Sequence, residues 1–304
     1  MSPDAPGGSR LAITDLKVSF GERRVVDIAG LALADAEIVG LAGGSGSGKS
    51  MTTLAILGLA HTVGARVSGS IRLDGAELTR LSQREIRAVR GRRIAAIFQS
   101  PAMAFSPVFR VGSVVHRTLR LHGMTRAEAV EAAARGMSQV LLSPGLLDRY
   151  PSQLSGGQLQ RVAVALALAL RAEVLLADEP TSALDVTVQA EVLELLRNLR
   201  DREGMSVLFI SHDLAVVAEL CDRVAIMQNG SIVEEGPTGQ VVSAPACPYT
   251  VELLAAVPPA AGGGGPVTPP ERGAGPVTPP AGGAGPVTPP EGGSATPPEG
   301  GTGW

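Results

Sequence analysis

The spacing of apolar residues changes twice along the chain. Short β-like runs at 11–20, 37–42, 70–73 and 93–98 give way to helical spacing between about 107 and 171. Past residue 173 the two patterns alternate, with strands at 174–177, 207–210 and 223–227 and helices at 186–202 and 213–220. A further helical pattern occupies 51–59, directly behind the strand at 37–42. Strands that alternate with helices predict a parallel sheet buried on both faces, and so an α/β class. The helical stretch in the middle then reads as an inserted subdomain. Its most apolar part, 162–170, is closed by Arg161 and Arg171. That is far short of the roughly 20 residues a membrane helix needs, so it predicts a buried helix.

Composition changes this picture at the ends of the chain. From 257 onward Pro, Gly, Ala and Thr dominate, and Gly-Pro-Val-Thr-Pro-Pro begins at Gly265, Gly275 and Gly285. Such a stretch lacks the apolar side chains that offset ordering entropy, and its prolines favour extended segments. The expected organisation is a flexible 1–10, one domain over 11–257 with its helical part at about 107–171, and a disordered tail over 258–304. A proline-docking ligand is the alternative reading of that tail. Residues 1–10 carry Pro and Gly where a signal peptide has a basic and then an apolar segment, so a cytoplasmic location is expected.

The 304 residues, 44% hydrophobic and 18% charged, suffice for one large domain or a domain with an insertion. A net charge of -3 offers no electrostatic footprint for nucleic acid, and none is expected as a partner. Cys221 and Cys247 lie far apart without CxxC spacing and read as packing residues.

The clearest chemistry follows the strand at 37–42. Gly43-Gly44-Ser45-Gly46-Ser47-Gly48-Lys49-Ser50 joins it to the helix that Met51 opens. Glycines let the backbone curl so that its N–H groups face phosphate oxygens, and the following helix start adds a favourable dipole. Lys49 reaches the β/γ-phosphates and Ser50 ligates Mg²⁺. A chance Gly-rich turn would not have this strand–loop–helix context. The acidic half of such a site is expected at the end of another apolar strand, and Asp178-Glu179 follow 174–177. Asp178 suits Mg²⁺ through its water shell, and Glu179 suits polarising an attacking water. The two motifs together indicate a P-loop NTPase.

Leu154-Ser155-Gly156-Gly157-Gln158, at the start of the helix carrying 162–170, resembles the signature motif of ABC ATPases. A Ser and two glycines at a helix start again offer hydroxyl, N–H groups and a positive dipole end to an anion. Gln99 is similar to that family's Q-loop glutamine, Ser182-Ala183-Leu184-Asp185 resembles its D-loop, and His212 its switch histidine. His61, His116 and His122 read as surface or packing residues. Phe20 ends the first strand, where the family has an aromatic that stacks on adenine; such stacking is worth roughly 0.5–1.5 kcal/mol beyond burial. A plain core role is the alternative for Phe20.

The resemblance covers about 11–257 and implies an ABC-type nucleotide-binding domain, with an antiparallel β subdomain and an inserted α-helical subdomain. It implies ATP and Mg²⁺ as ligands. Glu179, His212 and Gln99 would be catalytic, with Ser50, Gln99 and Asp178 at the metal. Phe20, Gly43 to Met51, Ser155, Gly156, Gly157, Gln158 and Asp185 would contact nucleotide, the signature residues reaching the ATP of an opposite subunit.

Segments 99–107, 178–190 and 248–254 are similar to the dipeptide, oligopeptide and nickel importer ATPases. This implies two membrane-spanning permease subunits, a second ATPase subunit (another copy or a paralogue), an extracytoplasmic solute-binding protein acting indirectly, and a position on the cytoplasmic face of the membrane. Three details resemble the nickel branch: Gly44 where peptide members usually carry Glu, Ala104-Phe105-Ser106-Pro107, and Leu159-Gln160-Arg161. A cysteine cluster and an extension found in many peptide-type members are missing. A non-transport ABC protein usually carries long coiled-coil insertions or two cassettes, unlike this chain. A small-molecule kinase would leave 154–158 and His212 unexplained.

Overall fold

A computed structural model describes residues 9–99, 105–182 and 184–256. The expectations for 1–8 and 258–304, for Ala104 and for Ala183 lie outside the described residues.

Two sheets carry the fold. The first is antiparallel and joins β1 (Ser9–Phe20), β2 (Arg23–Ala34), β4 (Arg66–Leu73) and β5 (Ala76–Glu77) in the order β2-β1-β4-β5. Leu16 pairs with Ile28 across one ladder and Ile13 with Ile71 across the other. The second sheet runs β10-β9-β3-β8-β7-β6. Its members are β3 (Ile38–Ala42), β6 (Ile94–Ile97), β7 (Val174–Asp178), β8 (Ser206–Ser211), β9 (Arg223–Gln228) and β10 (Ser231–Pro237). From β9 to β6 all pairings are parallel, and β10 closes the edge antiparallel to β9.

The period of two along each parallel strand divides the core in two. Ile38, Leu175, Val207, Phe209 and Val224 face one cluster, which includes α3 (Val111–Leu121), α4 (Arg126–Gln139), α5 (Gly156–Ala169), α6 (Val186–Glu203) and α7 (Leu214–Leu220). Val39, Leu41, Val174, Leu208 and Ala225 face the other, formed with the antiparallel sheet and α1 (Lys49–Ile56). Both faces are covered, which is why these strands read as unbroken apolar runs. The remaining helices are α2 (Gln83–Val89), α8 (Thr238–Ser243) and α9 (Pro248–Ala255).

The sequence pattern did not point to β2. Its inward set is Val26 and Ile28, then Leu31 and Leu33, so the alternation slips at Gly30, and Ala and Gly supply little β preference. α2 is a short helix closed by a Ser82/Glu85 capping box. β10 follows an Asn229-Gly230 turn in which both residues have positive φ, the geometry that favours a tight hairpin.

The β4–β5 corner is pinned by one carboxylate. Glu77 accepts hydrogen bonds from the Ser70 hydroxyl, the Thr79 hydroxyl and the N–H groups of Ile71 and Thr79. Burial alone would raise its pKa; the hydrogen bonds outweigh that and bring it from 4.5 down to about 2. A depressed carboxylate contributes stability that is present above its unfolded value and is lost as pH falls through its folded one. Glu77→Gln is therefore expected to lower the denaturation midpoint at pH 7. Its stability is also expected to fall less steeply than wild type's when measured between about pH 5 and pH 2.

Candidate active site

The chemistry-bearing residues leave the carboxyl ends of the parallel strands, where open α/β sheets gather their ligands. β3 feeds the loop 43–48 and then α1; β6 leads to Gln99, β7 to Asp178 and Glu179, and β8 to His212. Strand order brings together residues scattered over most of the chain.

The loop is held from outside. At Gly43 (φ 154°) an added Cβ would lie 2.1 Å from the Met227 carbonyl oxygen, so the backbone can approach β9 this closely only without a side chain. The Gly230 N–H, in the β9–β10 turn, donates to the Ser47 carbonyl at 2.9 Å. The Gly44 N–H donates to the Tyr249 hydroxyl on α9, also at 2.9 Å. Lys49 is buried and its ammonium donates to the Gly43 and Gly44 carbonyls at 2.7 and 2.9 Å. Burial pushes that ammonium below its ordinary pKa against the pull of Glu179 and Asp178.

Ser50 at the start of α1 donates its hydroxyl to Asp178 Oδ1 at 3.2 Å. Burial drives the Asp178 carboxyl upward; the Ser50 hydrogen bond draws it back, the neighbouring Glu179 charge adds to the rise, and Lys49 opposes it. Both carboxylate oxygens of Glu179 are held: Gln99 Nε2 donates to one at 2.8 Å and His212 Nδ1 lies 2.9 Å from the other. Its backbone sits at φ 49°, a sparsely populated conformation for a residue with a side chain, with its N–H donating to Ile210 at 2.9 Å. Two segments far from it in sequence, at Gln99 and at 210–212, thus fix the orientation of one carboxylate.

These residues surround a cavity of about 700 Å³, lined by Phe20 and Val25, the loop from Gly44 through Met51, and Gln99, Glu179 and His212. Its size suits a small organic ligand, and the loop at its floor suits a polyphosphate. Phe20 packs partly into the core and also lines the cavity. Val25, Gly230 and Tyr249 were not singled out from sequence. Asn229-Gly230 is a turn signal and Tyr249 lies in the family-like segment 248–254, but neither points to the loop, and Val25 offers no signal.

The signature residues are not among those lining the cavity. Ser155 caps α5, its hydroxyl accepting from the Gln158 N–H at 3.2 Å while the Gln158 side chain accepts from the Ser155 N–H at 2.9 Å. Gly157 abuts α6, where an added Cβ would lie 2.3 Å from a Val188 methyl. Asp185 caps α6 through the Val188 N–H at 3.0 Å.

The family model described as ABC transporter matches residues 26–182. A putative peptide import ATP-binding protein of Brucella abortus is 44% identical over 255 residues, covering 82% of this chain and 77% of that one. The glutathione import ATP-binding protein GsiA of Salmonella typhimurium is 44% identical over 261 residues, covering 82% of this chain but 42% of its own length. Among solved structures, cbiO1 of Clostridium perfringens, part of the ABC transporter complex cbiONQ, shares the fold at TM-score 0.69 and 23% identity, covering 78% of this chain and 92% of that one. The dimeric bacterial ABC transporter cassette MJ0796 aligns at TM-score 0.65 and 27% identity, covering 75% and 98%. The same cassette in a post-hydrolysis state bound to ADP and Pi aligns at TM-score 0.62.

The two close glycine contacts differ in what must yield. Gly43→Ala drives a methyl group into a backbone carbonyl and is expected to cost about 1–3 kcal/mol in urea denaturation. Gly157→Ala meets a methyl of Val188, a β-branched side chain that is stiff at χ1 in a helix, and is expected to be destabilising as well.

Proposed function

Because the chain belongs to the ABC transporter family and is an ATP-binding ABC ATPase, we propose that it energises import of peptide-class solutes, with the loop 43–50 cradling ATP phosphates and Glu179 polarising the attacking water. The observation that carries the catalytic part is the double hold on Glu179 by Gln99 and His212 at the rim of the loop cavity.

In this reading the N–H groups of the loop beyond Gly44 and of the first turn of α1, where helix-start amides lack partners inside the helix, donate to the β- and γ-phosphates. Lys49, aimed by the loop carbonyls, turns a further ammonium hydrogen to the phosphate oxygens. Met51 closes the phosphate end of the cavity and Phe20 stacks on the base. The Ser50 hydroxyl and the Asp178 carboxylate, 3.2 Å apart, are hard oxygen donors of the kind Mg²⁺ takes alongside substrate phosphates, and Gln99 completes the protein's share of that site. Bound there, Mg²⁺ supplies charge neutralisation on the phosphates. Gln99 and His212 orient the Glu179 carboxylate toward water, and Glu179 accepts the proton as water attacks.

Ser155, Gly156, Gly157 and Gln158 lie outside that cavity, so they serve the ATP of a second ATPase subunit, another copy or a paralogue, with Asp185 beside them at the joint. The dimeric form of the MJ0796 cassette favours this arrangement. Among the described residues no helix is long and apolar enough to cross a membrane. Transport then requires separate membrane-spanning permease subunits, with this chain at their cytoplasmic face and a solute-binding protein beyond them. A groove of about 840 Å³ between α2 and β6 on one side and α3 and α5 on the other, with Leu57, Leu121 and Leu170 in its lining, suits a permease segment. The inserted subdomain at about 107–171 would carry that contact.

Two relatives named for peptide and glutathione import favour a peptide-class solute. A nickel complex is the second reading, favoured by Gly44 and the Leu159-Gln160-Arg161 segment. Uptake of labelled di- and oligopeptides, glutathione and nickel in cells lacking the gene, with and without the wild-type chain, separates the two; restored nickel uptake alone would reject the peptide reading.

Glu179→Gln is expected to keep ATP binding and lose about 10²–10⁴ in steady-state phosphate release, the range of a general base. Near-normal turnover by that variant would remove Glu179 from the role. Phe20→Ala is expected to weaken ATP by the stacking increment, about 0.5–1.5 kcal/mol, in an equilibrium titration.

A further inference from the structure

The last described helix reaches back to the first functional loop. Tyr249 lies on α9, 205 positions after Gly44, and its hydroxyl accepts the Gly44 N–H at 2.9 Å. That N–H belongs to the same peptide unit as the Gly43 carbonyl, which accepts from the Lys49 ammonium at 2.7 Å. One peptide plane is therefore held at both ends. Its N–H is tied to α9 and its carbonyl to the cation that is to meet phosphate.

A glycine-flanked peptide can rotate at little steric cost, so its orientation depends on such ties. Rotation would remove the carbonyl that directs Lys49 and would change the direction of the loop's neighbouring N–H groups. Hydrogen bonds in a chain also polarise one another, so the tyrosine contact strengthens the lysine contact across the shared amide.

The helix that carries Tyr249 is itself latched. Glu234 on β10 accepts from the Ala246 N–H at 2.8 Å, from the Cys247 N–H at 3.1 Å and from the Thr250 hydroxyl. Thr250 is fully buried, and Tyr249, Leu253 and Leu254 pack against the helical-side core. Gly44 also leaves room for this contact, since a Cβ there would lie 3.0 Å from the tyrosine oxygen.

We propose that Tyr249 is a positioning residue for the phosphate loop, acting through the Gly43–Gly44 peptide on Lys49, with Glu234 holding α9 in the register that delivers it. This rests on the assignment of 43–50 as the ATP phosphate cradle. It makes the segment just ahead of the Pro/Gly-rich stretch a determinant of nucleotide affinity, and it gives the Pro248-Tyr249-Thr250 sequence a role in the ATP site.

The test is ATP affinity and turnover of the full chain, with melting temperature measured alongside, for wild type, Tyr249→Phe, Glu234→Ala and the double variant. Losing one hydrogen bond of this kind predicts that Tyr249→Phe raises the Kd and KM for ATP about 3–10-fold, with kcat within about twofold and the melting temperature nearly unchanged. Glu234→Ala shifts KM in the same direction, and the double variant is less impaired than the product of the two effects, as for residues acting in one chain. A Tyr249→Phe variant that binds ATP as tightly as a competent wild type overturns this inference and leaves the ATP site intact. A fall in kcat and melting temperature with no separate KM effect also overturns it, by reducing Tyr249 to a packing residue. A wild-type chain that does not bind ATP overturns the phosphate-cradle assignment itself.

Discussion

A loop that offers backbone N–H groups to an anion has to be held in shape by contacts that leave most of those groups free. In this chain the constraint is met from the far end of the sequence. The Met227 carbonyl leaves no room for a side chain at Gly43, the Gly230 N–H holds the Ser47 carbonyl, and the Tyr249 hydroxyl holds the Gly44 N–H. β9, the turn after it and α9 therefore form a frame around the segment between β3 and α1. Without that frame, a run of four glycines in eight positions would have many conformations of similar energy, and the ordering cost would fall on ligand binding.

The same geometry sets the electrostatics. Lys49 and Asp178 are both buried, and burial pushes each toward its neutral form, the lysine downward and the aspartate upward. Lys49 is drawn back toward its charged form by Glu179 and Asp178, and Asp178 by Ser50 and Lys49, while the like charge of Glu179 works against Asp178. A polyphosphate with its cation would enter a cavity already arranged in charge as well as in shape. Glu179 stands apart from this buried pair, held by Gln99 and His212 and set on a strained backbone conformation next to the strand end.

Much of this was legible in the sequence because its signals are contiguous. Gly43 to Ser50, Asp178-Glu179 and Ser155 to Gln158 each lie in one short stretch beside a strand or at a helix start, and a parallel sheet follows from apolar strands that alternate with helices. The antiparallel sheet was legible as a class but not in full, since β2 breaks its alternation at Gly30. What could not be read were contacts that exist only after folding. Tyr249 stood out as part of a family-like segment, yet nothing in its neighbours points to a glycine 205 positions earlier. Likewise Ser155 and Gln158 read equally well as a helix cap and as ligands for a partner's nucleotide; in the single chain they form the cap, away from the loop cavity.

The most direct test of the frame-and-cradle account is amide-resolved hydrogen exchange across 43–51 and at Gly230, with and without MgATP. The account requires the N–H groups of Gly44 and Gly230 to exchange slowly in both conditions, because protein oxygens already hold them. The amides that follow in the loop and at the start of α1 should slow markedly only when nucleotide is added. Uniform fast exchange at Gly44, or no change from Ser45 to Ser50 on saturation with ATP, would contradict it.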